Sequence, residues 1–272
     1  MVQLASLVHP IVFQFGRFTI TSYGVMVAVA FLVGLWTASR RAPREGIPPD
    51  KILDLGPWLI IGTILGARTL YVISYWREQF AGQPITEIFA VWKGGLVFYG
   101  GLIGASLAGI LYARLKKLPV WKLADIVAPS IALGYVFGRI GCLLNGCCYG
   151  RPCSLPWAIT FPNESRLAPP GIPRHPTQIY DSLLNLVFYG ALAWLYRHKK
   201  FDGQVFATYL IGYALLRSFV EMFRGDYPQY YLGGWATPAQ LVSIGILAAG
   251  LVLQAVLPRP AAGPRKTDNV VQ

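Results

Sequence analysis

Apolar runs of close to 20 residues recur seven times along the chain, at about 20–38, 53–74, 96–112, 123–144, 179–196, 205–223 and 238–257. A helix rises 1.5 Å per residue, so each run is of the length needed to cross a hydrocarbon core of about 30 Å. The pattern predicts an all-α integral membrane protein with seven transmembrane helices in a single polytopic domain over 1–257. Residues 1–18 are too short to span. Their alternating Val12, Phe13, Phe15 and Phe18 predict an interfacial segment. The start, Met1-Val2-Gln3-Leu4-Ala5, has no basic stretch and no small-residue cleavage site, so the first span is expected to direct insertion. The longest polar connection, 145–178, is rich in proline, and 258–272 reads as a disordered tail.

Composition supports the same class. The chain has 272 residues, 54% hydrophobic and only 13% charged, with a mean hydropathy of +0.47. A soluble chain carries about 25% charged residues. The net charge of +12 therefore reads as a topological signal and not as a nucleic-acid footprint, and no RNA-reading motif accompanies it. Lysines and arginines after the first, third, fifth and seventh runs outnumber those on the other side by 14 to 7. Basic residues gather on the cytoplasmic side. The N-terminus is thus expected outside, the C-terminus in the cytoplasm, and the 145–178 loop at the outer face.

Charged residues inside apolar runs carry the candidate chemistry. An arginine at mid-membrane costs at least about 2.5–3.5 kcal/mol, so it faces protein or a water-filled cavity. Arg139 and Arg217 are two such residues, and Arg68 is a third. Arg217 can pair with Glu221 one turn on, and Arg139 can extend its head outward. Tyr213, Arg217, Glu221 and Arg224 recur at near-helical spacing on one side of the sixth run, which favours a site for an anionic head group. Guanidinium forks match phosphate oxygens. Arg68 reads as an ion partner in helix packing, with substrate contact as the alternative.

Other residues divide between structural and functional readings. Asn145 before Gly146 suits a helix C-cap or an amide contact to a lipid head group. Thr177 suits a helix N-cap and Asp181 the first-turn dipole, with His175-Pro176 as the turn before them. Tyr99, flanked by Gly94, Gly95, Gly100 and Gly101, suits an interfacial belt or a site held near the backbone. Cys142, Cys147, Cys148 and Cys153 lie on the side expected to be oxidising. The plain readings are structural disulfides, a mix of paired and free buried thiols, or a metal site, with a redox centre as a further one; structural cysteines are favoured. No C-x-x-C is present, which argues against zinc.

Several of these stretches together resemble the bacterial prolipoprotein diacylglyceryl transferases. They are Ser22-Tyr23-Gly24, the run from Gly94 to Gly101, Gly138-Arg139-Ile140-Gly141 with Asn145-Gly146 and Gly150-Arg151, His175-Pro176-Thr177-Gln178-Ile179-Tyr180-Asp181, and Tyr213, Arg217, Glu221, Arg224 and Asp226. Each motif alone is weak, and the ordered set is specific. The resemblance implies a multi-pass enzyme of the bacterial cytoplasmic (inner) membrane. It would move the sn-1,2-diacylglyceryl group of phosphatidylglycerol to the lipobox cysteine of a prolipoprotein signal peptide and release sn-glycerol 1-phosphate. No metal or soluble cofactor is expected.

The catalytic candidates are Arg139 and Arg217, placed to stabilise charge on the leaving phosphate, with Tyr99 and Glu221 as the alternative proton acceptors. Phosphatidylglycerol would be bound by Arg139, Arg217, Tyr23, Asn145, Gly146, Gly150, Tyr213 and Arg224, with Cys142, Cys147, Cys148, Cys153 and His175 structural. The chain departs from the common pattern at Tyr99, Cys142 and Cys147, where many members carry histidine, asparagine and glutamate. The competing classes are a membrane thiol oxidoreductase using the four cysteines and a lipid transporter using an arginine-lined cavity. The second predicts an inverted repeat, and the sequence contains none.

Overall fold

The computed structural model describes residues 8–16, 18–162, 168–225 and 237–258. The tail expected from 258 on, apart from Pro258 itself, lies outside them, as do Asp226 and Arg166. Seven α-helices occur among the described residues: α1 (Ser22–Arg41), α2 (Pro49–Ser74), α3 (Phe98–Leu115), α4 (Val120–Asn145), α5 (Thr177–His198), α6 (Gln204–Glu221) and α7 (Pro238–Val256). Every helix end lies within four residues of an apolar-run boundary read from the sequence. Ahead of α1, strands β1 (Ile11–Phe15) and β2 (Phe18–Thr21) pair antiparallel. The stretch read as an interfacial segment forms this hairpin, with an irregular register between Ile11 and Phe13. Val12 and Phe13 remain exposed on it.

Five of the long helical segments are apolar enough to cross a membrane: α1 with its continuation to Glu45, then α2, α3, α4 and α7. Their outer faces carry large exposed side chains, among them Leu32, Leu65, Ile73, Leu107 and Val252. Apolar area on this scale is stable only against lipid. The protein is an all-α integral membrane protein. Helices α5 and α6 are long enough but more polar, because they bury Gln178, Asp181, Asn185, Arg217 and Glu221.

The chain forms two compact units, Leu35–Leu123 and the combination of Met1–Gly34 with Ala124–Gln272. In the first, α2 and α3 meet backbone to backbone. A Cβ added to Gly104 would stand 2.1 Å from the Gly62 carbonyl oxygen, and one added to Gly100 would stand 2.4 Å from that of Gly66. Small residues let membrane helices approach this closely. The glycines beside Tyr99 therefore hold α2. Arg68 of α2 is buried, and its bonds correct the ion-pair expectation. Nε donates to the Ile88 carbonyl at 2.7 Å, Nη2 to Glu87 at 2.6 Å, and Nη1 to Gly94 at 2.8 Å and Gly95 at 3.1 Å. Arg68 thereby folds the 85–95 connection around one guanidinium.

In the second unit, α1 packs on α4 through Gly34, Gly134 and Gly141. A Cβ on Gly141 would meet Met26 Cβ at 3.0 Å and the Tyr23 ring at 3.3 Å. Fully buried Asp125 of α4 ties the start of α6. Its carboxylate accepts from Lys199 Nζ at 2.9 Å, Gly203 N–H at 2.8 Å and Phe206 N–H at 3.0 Å. Gly203 is the N-cap of α6 and has no capping side chain of its own. Asp125 supplies from another helix the anion that the four orphan N–H groups need.

Candidate functional site

The site is built where α4 ends and the chain turns toward α5. The apolar run stops at Asn145 because Gly146, at φ +71°, takes the left-handed conformation that glycine adopts without strain. Gly146 N–H donates to the Leu143 carbonyl at 3.1 Å and Cys147 N–H to the Cys142 carbonyl at 3.0 Å. These two bonds are a Schellman cap. Asn145 and Gly146 thus terminate a helix, as one of their two sequence readings has it.

The cap folds the cysteines back on one another. The Sγ atoms of Cys142, Cys147 and Cys148 lie within 4.8 Å of one another, and all four cysteines are free thiols. Cys148 sits at φ +60°, unusual for a residue with a side chain. The first turn of α5 pins the group: Gln178 Nε2 donates to the Cys147 carbonyl at 2.6 Å and Thr177 Oγ1 to the Cys148 carbonyl at 2.7 Å. Thr177 is therefore not the cap of α5; its hydroxyl faces the loop, and Pro176 occupies the cap position. The Cys148 thiol is held below the usual thiol range. Hydrogen bonds from the Cys142 and Cys147 thiols act most, then the charges of Arg139 and Arg224, against the opposing effect of burial.

Beside the thiols lies a buried ionic network. Arg139 of α4 does not extend outward. Its Nε is 2.9 Å from Asp181 Oδ2 on α5, and Nη2 donates to the Tyr135 hydroxyl. Its guanidinium also lies 4.8 Å from the centre of the Tyr135 ring. Tyr135 in turn meets Tyr213 of α6 edge to face at 6.0 Å. On α6, Arg217 Nη2 is 2.8 Å from Glu221 Oε2, and Arg224 Nε is 4.0 Å from the same oxygen. Asp181 feels the charges of Arg139, Arg217 and Arg224 together. The five charged side chains, Arg139, Asp181, Arg217, Glu221 and Arg224, are all buried.

The loop closes over this network by backbone pairing. Gly150 N–H donates to the His175 carbonyl at 3.1 Å, His175 N–H to Arg151 at 3.0 Å, and Arg151 N–H to Phe223 at 2.8 Å. Gly150 has no room for a side chain, since a Cβ there would be 2.5 Å from His175 Cβ. The His175 ring packs on Phe223 at 5.4 Å, with Nδ1 3.3 Å from the Tyr180 hydroxyl. Arg174, unremarked in the sequence, is buried against Tyr149 at 4.8 Å and donates to the Gly150 carbonyl at 3.3 Å.

The structure thus brings Arg139, Arg217, Glu221, Arg224 and Tyr213 into one network. It adds Asp181 and Tyr135, which sequence reasoning had not placed there. Tyr23 lies against Gly141, partly exposed. Tyr99 belongs to the other unit, near the start of α3, and is exposed. Cys153 stands outside the thiol cluster.

A multi-pass membrane protein with arginines paired to carboxylates beneath a folded loop is the class that these features define. The sequence pattern of one family, Prolipoprotein diacylglyceryl transferase, matches residues 10–256. The chain is 36% identical over 276 residues to the phosphatidylglycerol–prolipoprotein diacylglyceryl transferase of Trichormus variabilis, covering 95% of each chain. It is 39% identical over 253 residues to that of Synechococcus elongatus, covering 89% of this chain and 85% of the relative. It is 36% identical to that of Geobacter sulfurreducens, covering 94% and 98%. The chain belongs to the prolipoprotein diacylglyceryl transferase family.

Proposed function

We propose that this protein transfers the sn-1,2-diacylglyceryl group of phosphatidylglycerol to the lipobox cysteine of prolipoproteins in the bacterial inner membrane. Seven spans with the N-terminus outside would present the α4–α5 loop at the outer face. The observation that carries the reading is the set of buried ion pairs, Arg139 Nε to Asp181 Oδ2 at 2.9 Å and Arg217 Nη2 to Glu221 Oε2 at 2.8 Å, with Arg224 Nε 4.0 Å from that same Glu221 oxygen. Asp181 and Glu221 fix the guanidiniums in orientation. An anion reaching such a site meets donors that need not reorganise.

The chemistry is displacement at the glycerol carbon that carries the phosphate. The acceptor thiol gives its proton to solvent; its sulfur forms the C–S bond while the C–O bond to phosphate breaks, and glycerol phosphate leaves with the electron pair. Arg139 and Arg217 stabilise the leaving phosphate, and Arg224 holds the anionic head group, as guanidinium forks do. Glu221, shared by Arg217 and Arg224, acts as their positioning anion. Tyr213 and Tyr135 fix the network from the apolar side. Tyr23, Asn145, Gly146 and Gly150 shape the lipid subsite, the last three through backbone. Cys153 and His175 are structural. Purified protein in detergent, given phosphatidylglycerol and a lipobox peptide, should add one diacylglyceryl mass to the cysteine and release glycerol phosphate. A peptide with serine at that position should stay unmodified; lipidation of neither peptide would sink the reading.

A further inference from the structure

Three thiols meet at the end of α4 with no disulfide between them. Their Sγ atoms lie within 4.8 Å of one another. A tetrahedral zinc site has Zn–S bonds of about 2.3 Å and so S···S separations of about 3.8 Å. The observed triangle exceeds that size by about 1 Å at most. The Schellman cap makes a Cys-x4-Cys-Cys spacing converge, which linear C-x-x-C reasoning does not anticipate.

The surroundings suit a metal as well as the sulfurs do. The carbonyls of Cys147 and Cys148 are fixed by Gln178 and Thr177, so two of the three ligand residues are held by α5. Such outer partners orient metal ligands. Gln178 is 1% exposed, and its Oε1 is buried with no hydrogen-bond partner. That orphan acceptor sits on the same amide that grips Cys147. Three thiolates with a dication leave one negative charge. Cys147 and Cys148 keep partial exposure, which leaves an entry path.

We infer that Cys142, Cys147 and Cys148 form a site for one thiophilic cation of the Zn(II) class, whose open fourth position takes the acceptor cysteine. The second half rests on the transferase reading. Three protein ligands with one open position is the arrangement of a catalytic zinc site. A thiol is deprotonated outright on coordination. The acceptor S–H would give its proton to solvent, and its sulfur would then form the C–S bond as the phosphate oxygen departs with the C–O pair. The metal changes no oxidation state.

The test uses the whole, reduced, metal-free protein in detergent, titrated with Co(II) as a spectroscopic substitute for zinc. The expected result is one Co(II) per chain, with thiolate-to-metal charge-transfer bands that Zn(II) displaces. Affinity should fall at least tenfold in Cys142→Ser, Cys147→Ser and Cys148→Ser and stay unchanged in Cys153→Ser. A lipobox peptide should shift the visible bands, and its serine counterpart should not. Absence of charge-transfer bands in folded wild type, or bands that survive all three changes, overturns the site. Equal peptide lipidation before and after metal removal overturns the acceptor role and leaves the transferase standing. Cobalt binding without lipidation under any metal condition counts against the transferase reading instead.

Discussion

Arg139 and Asp181 face each other across the α4–α5 turn, Nε to Oδ2 at 2.9 Å, both buried. Removing one partner of a buried pair strands the other charge, at a cost of about 3–5 kcal/mol. Asp181→Asn keeps the shape and removes the charge. It should lower the detergent melting temperature and the lipidation rate together. Arg139→Gln with Asp181→Asn should recover much of the stability and none of the activity. Recovery of activity in the double variant would count against Arg139 as a substrate contact.

The α2–α3 contact makes a steric prediction. A Cβ on Gly104 meets the Gly62 carbonyl oxygen at 2.1 Å, whereas one on Gly109 meets only the end of Leu59 at 3.6 Å. Gly104→Ala must part the helices, and Gly109→Ala need not. Thermal unfolding followed by size-exclusion fluorescence should show a clear loss for the first and almost none for the second. Equal behaviour would mean that the helices do not approach as described.

Asp125 predicts a defect of stability without one of substrate affinity. It accepts from Lys199, Gly203 and Phe206 while fully buried. Asp125→Ala removes an ion pair and a helix cap together. Such losses run to about 3–5 kcal/mol for a buried pair and ~1 kcal/mol for a cap. The melting temperature should fall while the KM for phosphatidylglycerol in the surviving folded fraction stays unchanged. A raised KM at full stability would place Asp125 in the lipid site.

Arg68 predicts that charge alone is not enough. Its planar fork reaches four carbonyls between Glu87 and Gly95. Lysine carries the charge on a single nitrogen and cannot span that set. Arg68→Lys should expose the 85–95 connection to limited proteolysis nearly as much as Arg68→Ala. Full protection in the lysine variant would show that the geometry is not needed.

The helices were legible because lipid demands long apolar runs, and length alone then fixes their ends to within a turn. Asn145-Gly146 was legible as a helix stop for a local reason, the left-handed glycine. What escaped was pairing between helices. Asp181 was read as a dipole partner of its own helix, and nothing in its neighbours points to Arg139, 42 positions earlier. Asp125 lies inside an apolar run, and nothing in its neighbours shows that it caps α6, since the partner lies in another segment. Thr177 has the residue type of a cap, but the loop claims its hydroxyl. The thiol cluster depends on two φ-positive residues, Gly146 and Cys148, and only the glycine announces itself.

The most direct measurement is the rate at which a lipobox peptide gains a diacylglyceryl mass, with Arg139→Gln and Arg217→Gln beside wild type, all checked for intact folding. Loss of transition-state stabilisation of the size seen for a single charged donor is about 10²–10³-fold. The arginine site predicts rapid gain in the wild type and at least a hundredfold loss in each variant, with phosphatidylglycerol release of glycerol phosphate falling in parallel. Wild-type rates in both folded variants would contradict it.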